Sequence, residues 1–306
     1  MKEGVIFVEK SFWERLSSVR DRYAISDKLI HSQSDIYTNF NKEEISCDTF
    51  LGSIHDETGG RLYWDKNIED FIESEDVIPL VSIYLTGHDT MFCDGKSIQK
   101  GIIVFNNSQF SSDHKVFSIP EPITVDEDNM YSHGWKNESF APLLAKNICN
   151  SLIINDKYLC NKGYMNPDLK DILDVVLPQR LTIPFHLSIF SEINSNGDKI
   201  YQEITDTISD IRSSEFFNNI LFTLSYSTLH DRFIISNTFC ITVGAGFALF
   251  NGRSKPQNST SINIHFPTAV GKKREYNMWI KKTKEINDRS NNYWGKRVNR
   301  LFELVD

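Results

Sequence analysis

The chain has few of the residues that staple or interrupt a fold: five cysteines, nine prolines and fifteen glycines in 306 positions. The cysteines (Cys47, Cys93, Cys149, Cys160, Cys240) are odd in number, widely spaced and never form Cys-x-x-Cys. That pattern argues against a disulfide framework and gives a structural zinc site no support. The nearest metal-like run, His88-Asp89-Thr90-Met91-Phe92-Cys93, lacks the second ligand pair that a tetrahedral ion requires. No apolar run approaches the ~20 residues that span a bilayer, so no transmembrane segment is expected. The first apolar run, Val5-Ile6-Phe7-Val8, is broken by Glu9-Lys10 and is too short for a secretory leader; cytoplasmic residence is the expectation. Glycine-rich nucleotide loops and a Gly-x-Ser-x-Gly elbow are absent as well, and neither a metal nor another cofactor is expected.

What is present is an ordinary globular mixture, 40% hydrophobic and 24% charged, with many rings (21 Phe, 11 Tyr, 5 Trp). Disorder and collagen-like order are thereby excluded. The net charge of −8 is unevenly spread. Residues 251–306 carry twelve Lys/Arg and five acids, so this stretch stands at +7 and the rest at −15. A basic C-terminal region attracts polyanions locally even on an acidic protein, because screening confines each field to ~8 Å at physiological salt. The competing reading is a solvated amphipathic helix, since Met278-Trp279, Ile286 and Tyr293-Trp294 interleave with the lysines.

Periodicity predicts strands at Gly4–Val8, Val77–Leu85 and Gly101–Phe105. Helices are expected from Ser11 to about Tyr23, at 67–76, at 137–150, and from Asp168 to Val176 behind Pro167. From residue 180 onward the pattern sharpens. Leu181, Ile183, Phe185, Leu187 and Ile189 alternate with smaller or polar residues as in a strand. Ile200, Ile204, Ile208 and Ile211 mark one helix face. Strands are expected at 220–226, 228–235, 239–243 and 261–266.

One spacing carries chemistry. His230-Asp231-Arg232 is followed by Asn237 and by Gly244-Ala245-Gly246, which fits His-x-(Lys/Arg)-x4-(Asp/Asn) with small residues downstream. On a strand, His230 and Arg232 would share a face ~6–7 Å apart. An imidazole beside a guanidinium suits a phosphodiester: the ring attacks phosphorus or moves a proton while the guanidinium holds the non-bridging oxygens. Asn237 has the wrong parity and reaches that face only if the chain turns at Ser236-Asn237. Gly244 and Gly246 would let a phosphate approach backbone amides.

These residues resemble the phospholipase D superfamily, whose site is built from His-x-Lys-x4-Asp motifs. The stretch Leu229 to Phe250 is closer still to the phospholipase D-like C-terminal domain of MIT-domain proteins, with its His-Asp-Arg and Gly-x-Gly signatures. The resemblance covers about residues 180–250. It implies an α/β fold, a phospholipase D-like mixed sheet flanked by helices, over residues 166–306 including the basic helical segment. Residues 1–165 form an unrecognised α+β region. His230 takes the place of the nucleophile or general acid, Arg232 that of the phosphate-binding lysine, and Asn237 that of the orienting carboxylate. Substrate contacts are expected from Gly244, Gly246, His265, Lys272, Lys273 and Arg274.

Arg for Lys changes fork geometry, and Asn for Asp removes the charge that stabilises an imidazolium. The superfamily mechanism needs two histidines, yet His31, His55, His88, His114, His133, His186 and His265 all lack a basic residue two positions on. Single-motif members solve this as homodimers. Two functions therefore stand open. The leading one is a metal-independent phosphodiesterase, a nuclease working as a homodimer on nucleic acid. The other is a non-catalytic module that binds the phosphate of nucleic acid or of a phospholipid headgroup, or docks a protein partner, with His-Asp-Arg as a recognition or hairpin-locking corner. His186 and His265 are candidate cleft residues, though a satisfied sheet histidine is the simpler reading of each. His55-Asp56-Glu57 reads as an exposed loop.

Overall fold

The computed structural model describes residues 5–18, 35–45, 55, 61–67, 81–87, 103–105, 122–140, 149–178, 181, 183–212, 218–265 and 273–305. They contain two sheets. The first is five-stranded: β1 (Val5–Val8), β2 (Asp35–Thr38), β3 (Leu62–Tyr63), β4 (Val81–Leu85) and β5 (Ile103–Phe105), with helix α1 (Lys10–Ser18) after β1. Its order is β3-β2-β1-β4-β5 and every pairing is parallel. Parallel order arises from pairing between segments far apart in sequence, which periodicity does not reveal. The helix expected at 67–76 falls almost wholly outside the described residues, as do 19–23 of the one expected at 11–23 and 141–148 of the one expected at 137–150, where residues 137–140 form a bend and turn instead.

The second sheet has eight strands: β6 (Ile123–Val125), β7 (Ser151–Asn155), β8 (Phe185–Ser191), β9 (Ile220–Tyr226), β10 (Phe233–Ser236), β11 (Cys240–Val243), β12 (Thr260–His265) and β13 (Tyr293–Gly295). Their order is β13-β9-β8-β7-β10-β11-β12-β6, so the sheet draws strands from both sides of residue 165. β7, β8 and β9 are parallel, and the remaining pairs are antiparallel. The class is mixed α/β, with helices α2 (Pro167–Val176), α3 (Gly197–Ile211) and α4 (Lys273–Arg289) beside the sheet. Both outermost strands, β6 and β13, have three residues.

Strand alternation divides the core in two. Leu152, Ile154, Leu187, Ile189 and Ile234 join the α2 and α3 stripes (Leu169, Ile172, Leu173, Val176; Ile200, Ile204, Ile208). Ile153, Phe190, Phe233 and Ile235 meet Tyr276, Trp279 and Ile280 of α4 and Leu301 to Val305 on the other face. α2 starts as its sequence dictates: Pro167 occupies the first turn and the Asn166 side chain accepts from the Asp168 N–H. α4 lies along β10 in a fixed direction. The Tyr276 hydroxyl donates to the Ser236 carbonyl, the Trp279 ring stacks on Phe233 at 5.0 Å, and Lys282 meets Asp231 at 3.0 Å.

His186 sits on β8 near its amino end, where its Nδ1 accepts from the Arg300 N–H at 3.0 Å. That bond needs an unprotonated Nδ1. Burial, reinforced by the Arg300 guanidinium, pushes the imidazole pKa down to about 3. The unfolded chain takes up this proton near pH ~6.5 and the folded chain does not, so the neutral histidine supports the fold above ~6.5 and that support drains away as pH falls toward 3. The slope is at most ~1.4 kcal/mol per pH unit in this window. Urea unfolding at pH 7, 5.5 and 4 is expected to show a shallower acid loss in His186→Gln than in the parent; equal slopes in both would contradict the assignment.

Candidate phosphate-binding corner

Asn155 ends β7, Ser191 ends β8 and Tyr226 ends β9, so the carboxyl ends of the three parallel strands form one rim. β10 runs antiparallel to β7, pairing Phe233 with Asn155, and this brings residues 227–232 to the same rim. Such rims are where α/β sheets place ligands.

His230 and Arg232 do not lie on a strand, contrary to the expectation for 228–235; β10 begins at Phe233. Side chains explain the difference. The Ser227 hydroxyl accepts from the Leu229 N–H at 3.1 Å, and the Asn155 carboxamide donates to the Asp231 carbonyl. Both backbone groups are thus withdrawn from strand pairing and the segment becomes a loop. His230 is exposed at its crest with no hydrogen-bond partner among the described residues. Asp231 pairs with Lys282.

Arg232 turns inward. Its Nη1 donates to the Gly244 carbonyl at 2.7 Å, its guanidinium lies 5.3 Å from the Tyr158 ring centroid, and its Nε is buried without a hydrogen-bond partner. Beside it is Asp156, fully buried and immediately after β7. The Asp156 carboxylate accepts from the N–H groups of Tyr158, Phe247 and Ala248. Burial pushes its pKa above the usual carboxylate value, while those N–H groups and Arg232 pull it down. Asp168, also fully buried, accepts in the same way from Phe250, Asn251 and Gly252. Two buried carboxylates therefore hold the whole 244–252 turn. Beneath it, Trp135, Phe140, Phe247 and Phe250 form an aromatic cluster, with the Trp135 indole N–H on the Phe247 carbonyl at 3.0 Å.

The glycines serve this arrangement rather than a phosphate cradle. The Phe247 and Ala248 amides are taken by Asp156, and the Ala245 amide donates to Thr260 Oγ1 at 2.9 Å. Gly246 has φ +95°, and a Cβ there would meet Asp156 Oδ2 at 2.8 Å and Arg232 Cδ at 3.0 Å. Its missing side chain leaves the space that both side chains border.

Other expected site residues lie elsewhere. Asn237 follows β10 at its far end, roughly 16 Å from Arg232 along the chain by a rise of ~3.3 Å per residue. There it is buried, and its Oδ1 accepts from the Asn150 N–H at 2.8 Å. The turn at Ser236-Asn237 leads into β11 without returning Asn237 to His230, so an orienting role is corrected to a structural one. His265 pairs with Cys240, which pairs with Ile235, and so belongs to the Asn237 end as well. Lys272 lies outside the described residues; Lys273 and Arg274 open α4, whose first turns also sit at that end. The basic residues near the His230 loop come from later in α4. Lys282 and Arg289, with Glu285 and Ile286, face residues 226–229 across a groove of about 500 Å³. Among the described histidines His230 alone is on this rim; His31, His88 and His114 lie outside the described residues. The sequence reading missed Asp156. The signal for it was the β-rich run Ser151–Asn155 ending in two adjacent polar residues.

No group of three or more His, Cys, Asp or Glu side chains suited to a metal occurs among the described residues. Cys149, Cys160 and Cys240 are buried free thiols, and burial pushes the Cys160 pKa up to about 12, which suppresses thiolate chemistry. No helix among the described residues is long and apolar enough to cross a membrane. No protein-family model matches the chain, and no curated protein does so either.

Gly246→Ala is expected to destabilise the protein by about 2 kcal/mol or more, through strained φ and displacement of Asp156 and Arg232. Gly244→Ala, whose Cβ would approach only Thr260 Oγ1 at 3.1 Å, is expected to cost less than ~1 kcal/mol. Urea denaturation of the two variants tests this ordering.

Proposed function

We propose that residues 122–305 form a phospholipase D-like domain whose His230-Asp231-Arg232 corner binds the phosphate group of an ester, without hydrolysing it inside a single chain. The observation that carries this reading is the state of His230: exposed, without a hydrogen-bond partner among the described residues, and two positions from Arg232 on the loop at the rim formed by three parallel strand ends. An imidazole and an arginine on one loop are both N–H donors suited to phosphate oxygens. Lys282 and Arg289 add positive charge around the adjoining groove, and Arg297 stacks on the Tyr293 ring at 3.5 Å. The hydrolytic parts are incomplete within one chain. No second imidazole shares the rim among the described residues, and Asn237 is at the other end of β10.

A second reading, a metal-independent phosphodiesterase or nuclease acting as a homodimer, draws on the same exposure. An imidazole at the crest of a loop is accessible to its symmetry mate across a two-fold axis, one ring attacking and one protonating the leaving oxygen.

Two measurements on the full chain separate these readings. Calorimetric titration with orthophosphate is expected to saturate, and His230→Ala is expected to weaken binding about tenfold, the loss of one charge-assisted hydrogen bond. Bis(4-nitrophenyl) phosphate is expected to remain intact in EDTA. Turnover in EDTA that vanishes in His230→Ala and rises with dimer fraction establishes the homodimeric enzyme instead. No saturable phosphate binding and no turnover rejects both.

A further inference from the structure

β7 is apolar through its middle, Ser151-Leu152-Ile153-Ile154-Asn155, yet it closes on a carboxamide that is fully buried. Burying such a group is costly unless both its ends are hydrogen-bonded, and an apolar side chain at that position would avoid the cost. Asn155 meets the requirement with one loop. Its Nδ2 donates to the Asp231 carbonyl, and its Oδ1 accepts from the Ser227 hydroxyl at 3.3 Å. The same hydroxyl accepts from the Leu229 N–H at 3.1 Å. A single side chain thereby ties the first residue of the 227–231 loop to the last.

His230 lies inside that tie. The residue before it, Leu229, is held through its N–H by Ser227 and packs against the apolar cluster under α4. The residue after it, Asp231, is held through its carbonyl by Asn155. Two more anchors bracket the loop: the Ser227 N–H donates to the Ser191 carbonyl at 2.8 Å, and Arg232 Nη1 donates to the Gly244 carbonyl. The Asp231–Lys282 ion pair joins side chains that are 40% and 43% exposed, and pairs so exposed hold a loop weakly. Fixing the crest therefore falls to the buried carboxamide.

From this geometry we infer that Asn155 is a positioning residue for His230, holding the loop in one shape so that the imidazole is already presented at the rim when a phosphate arrives. The inference rests on the phosphate-binding reading of His230 and assigns the preorganisation of that site to a side chain that need not touch the ligand. A loop ordered beforehand has less freedom to lose on binding, which strengthens the complex.

The test is a double-mutant cycle on the full chain, read by calorimetric titration with orthophosphate. Asn155→Ala and Ser227→Ala, the second the smaller disturbance to packing, are each expected to weaken binding about fivefold, the worth of one neutral hydrogen bond. In the His230→Ala background the same substitutions are expected to change affinity by less than about twofold, because a residue that acts through His230 has nothing left to act on. A second measurement needs no phosphate. The His230 ring resonance in proton–carbon NMR spectra, assigned by its loss in His230→Ala, is expected to move in both variants, while that of His133, exposed in another turn, stays in place. Unchanged orthophosphate affinity in the folded variants overturns the positioning role, as does a loss of equal size in the His230→Ala background. A His230 resonance unmoved by both substitutions overturns it whatever the binding result. A parent chain that binds no orthophosphate overturns the phosphate reading instead, and the resonance then judges Asn155 on its own. The two failures are thus told apart.

Discussion

The rim of the eight-stranded sheet depends on one buried carboxylate. Asp156 sits where β7 ends, out of reach of water, and gathers three backbone N–H groups from two separate segments. An acid in such a place is tolerable only if its lone pairs are occupied and positive charge is near. The 247–248 amides and Arg232 meet both conditions, which fixes the 244–248 turn against the 230–232 loop. The arginine that suggests phosphate chemistry thus also lies near an internal acid and pulls its pKa down through space, without a direct ion pair. One side chain holds the corner together and offers the remainder of its fork to a ligand. Asp168, capping residues 250–252, steadies the far half of the same turn.

The direction of α4 decides which charges matter. Its apolar stripe is clamped to β10 through Tyr276 and Trp279, so its amino end is committed to the Ser236 side and its later turns to the His230 side. The segment is therefore both things its composition suggested. One face is core, and the opposite face carries lysines and arginines. Those that approach the rim are Lys282 and Arg289, eight and more positions beyond the cluster that stands out in the sequence.

Elements stabilised by their own periodicity were legible. β9 spans the 220–226 run, and α3 carries the isoleucine stripe expected of it. The five-stranded sheet was visible only as isolated strands, because its parallel order is a property of pairing between distant segments. At the site, local pattern pointed to the right residues with the wrong geometry. His230 and Arg232 read as strand because 228–235 is rich in β formers, yet Asn155, 76 positions earlier, and Ser227 take the backbone groups a strand would use. Asn237 and Gly244-Ala245-Gly246 occupy the places the motif assigns them in sequence. Their neighbours are Asn150, Asp156 and Arg232, and nothing in a linear spacing discloses a contact made with a residue 80 or 90 positions away.

Both lateral borders of the eight-stranded sheet are closed by strands of three residues, β6 and β13. A border that short presents too few unpaired amides and carbonyls to recruit another chain by strand addition, and the Arg297 fork laid over Tyr293 further encumbers one of them. Self-assembly by extending the hydrogen-bonded ladder is thereby discouraged. Association of two copies falls more readily to its layers or to its loop-bearing end, where the exposed His230 lies.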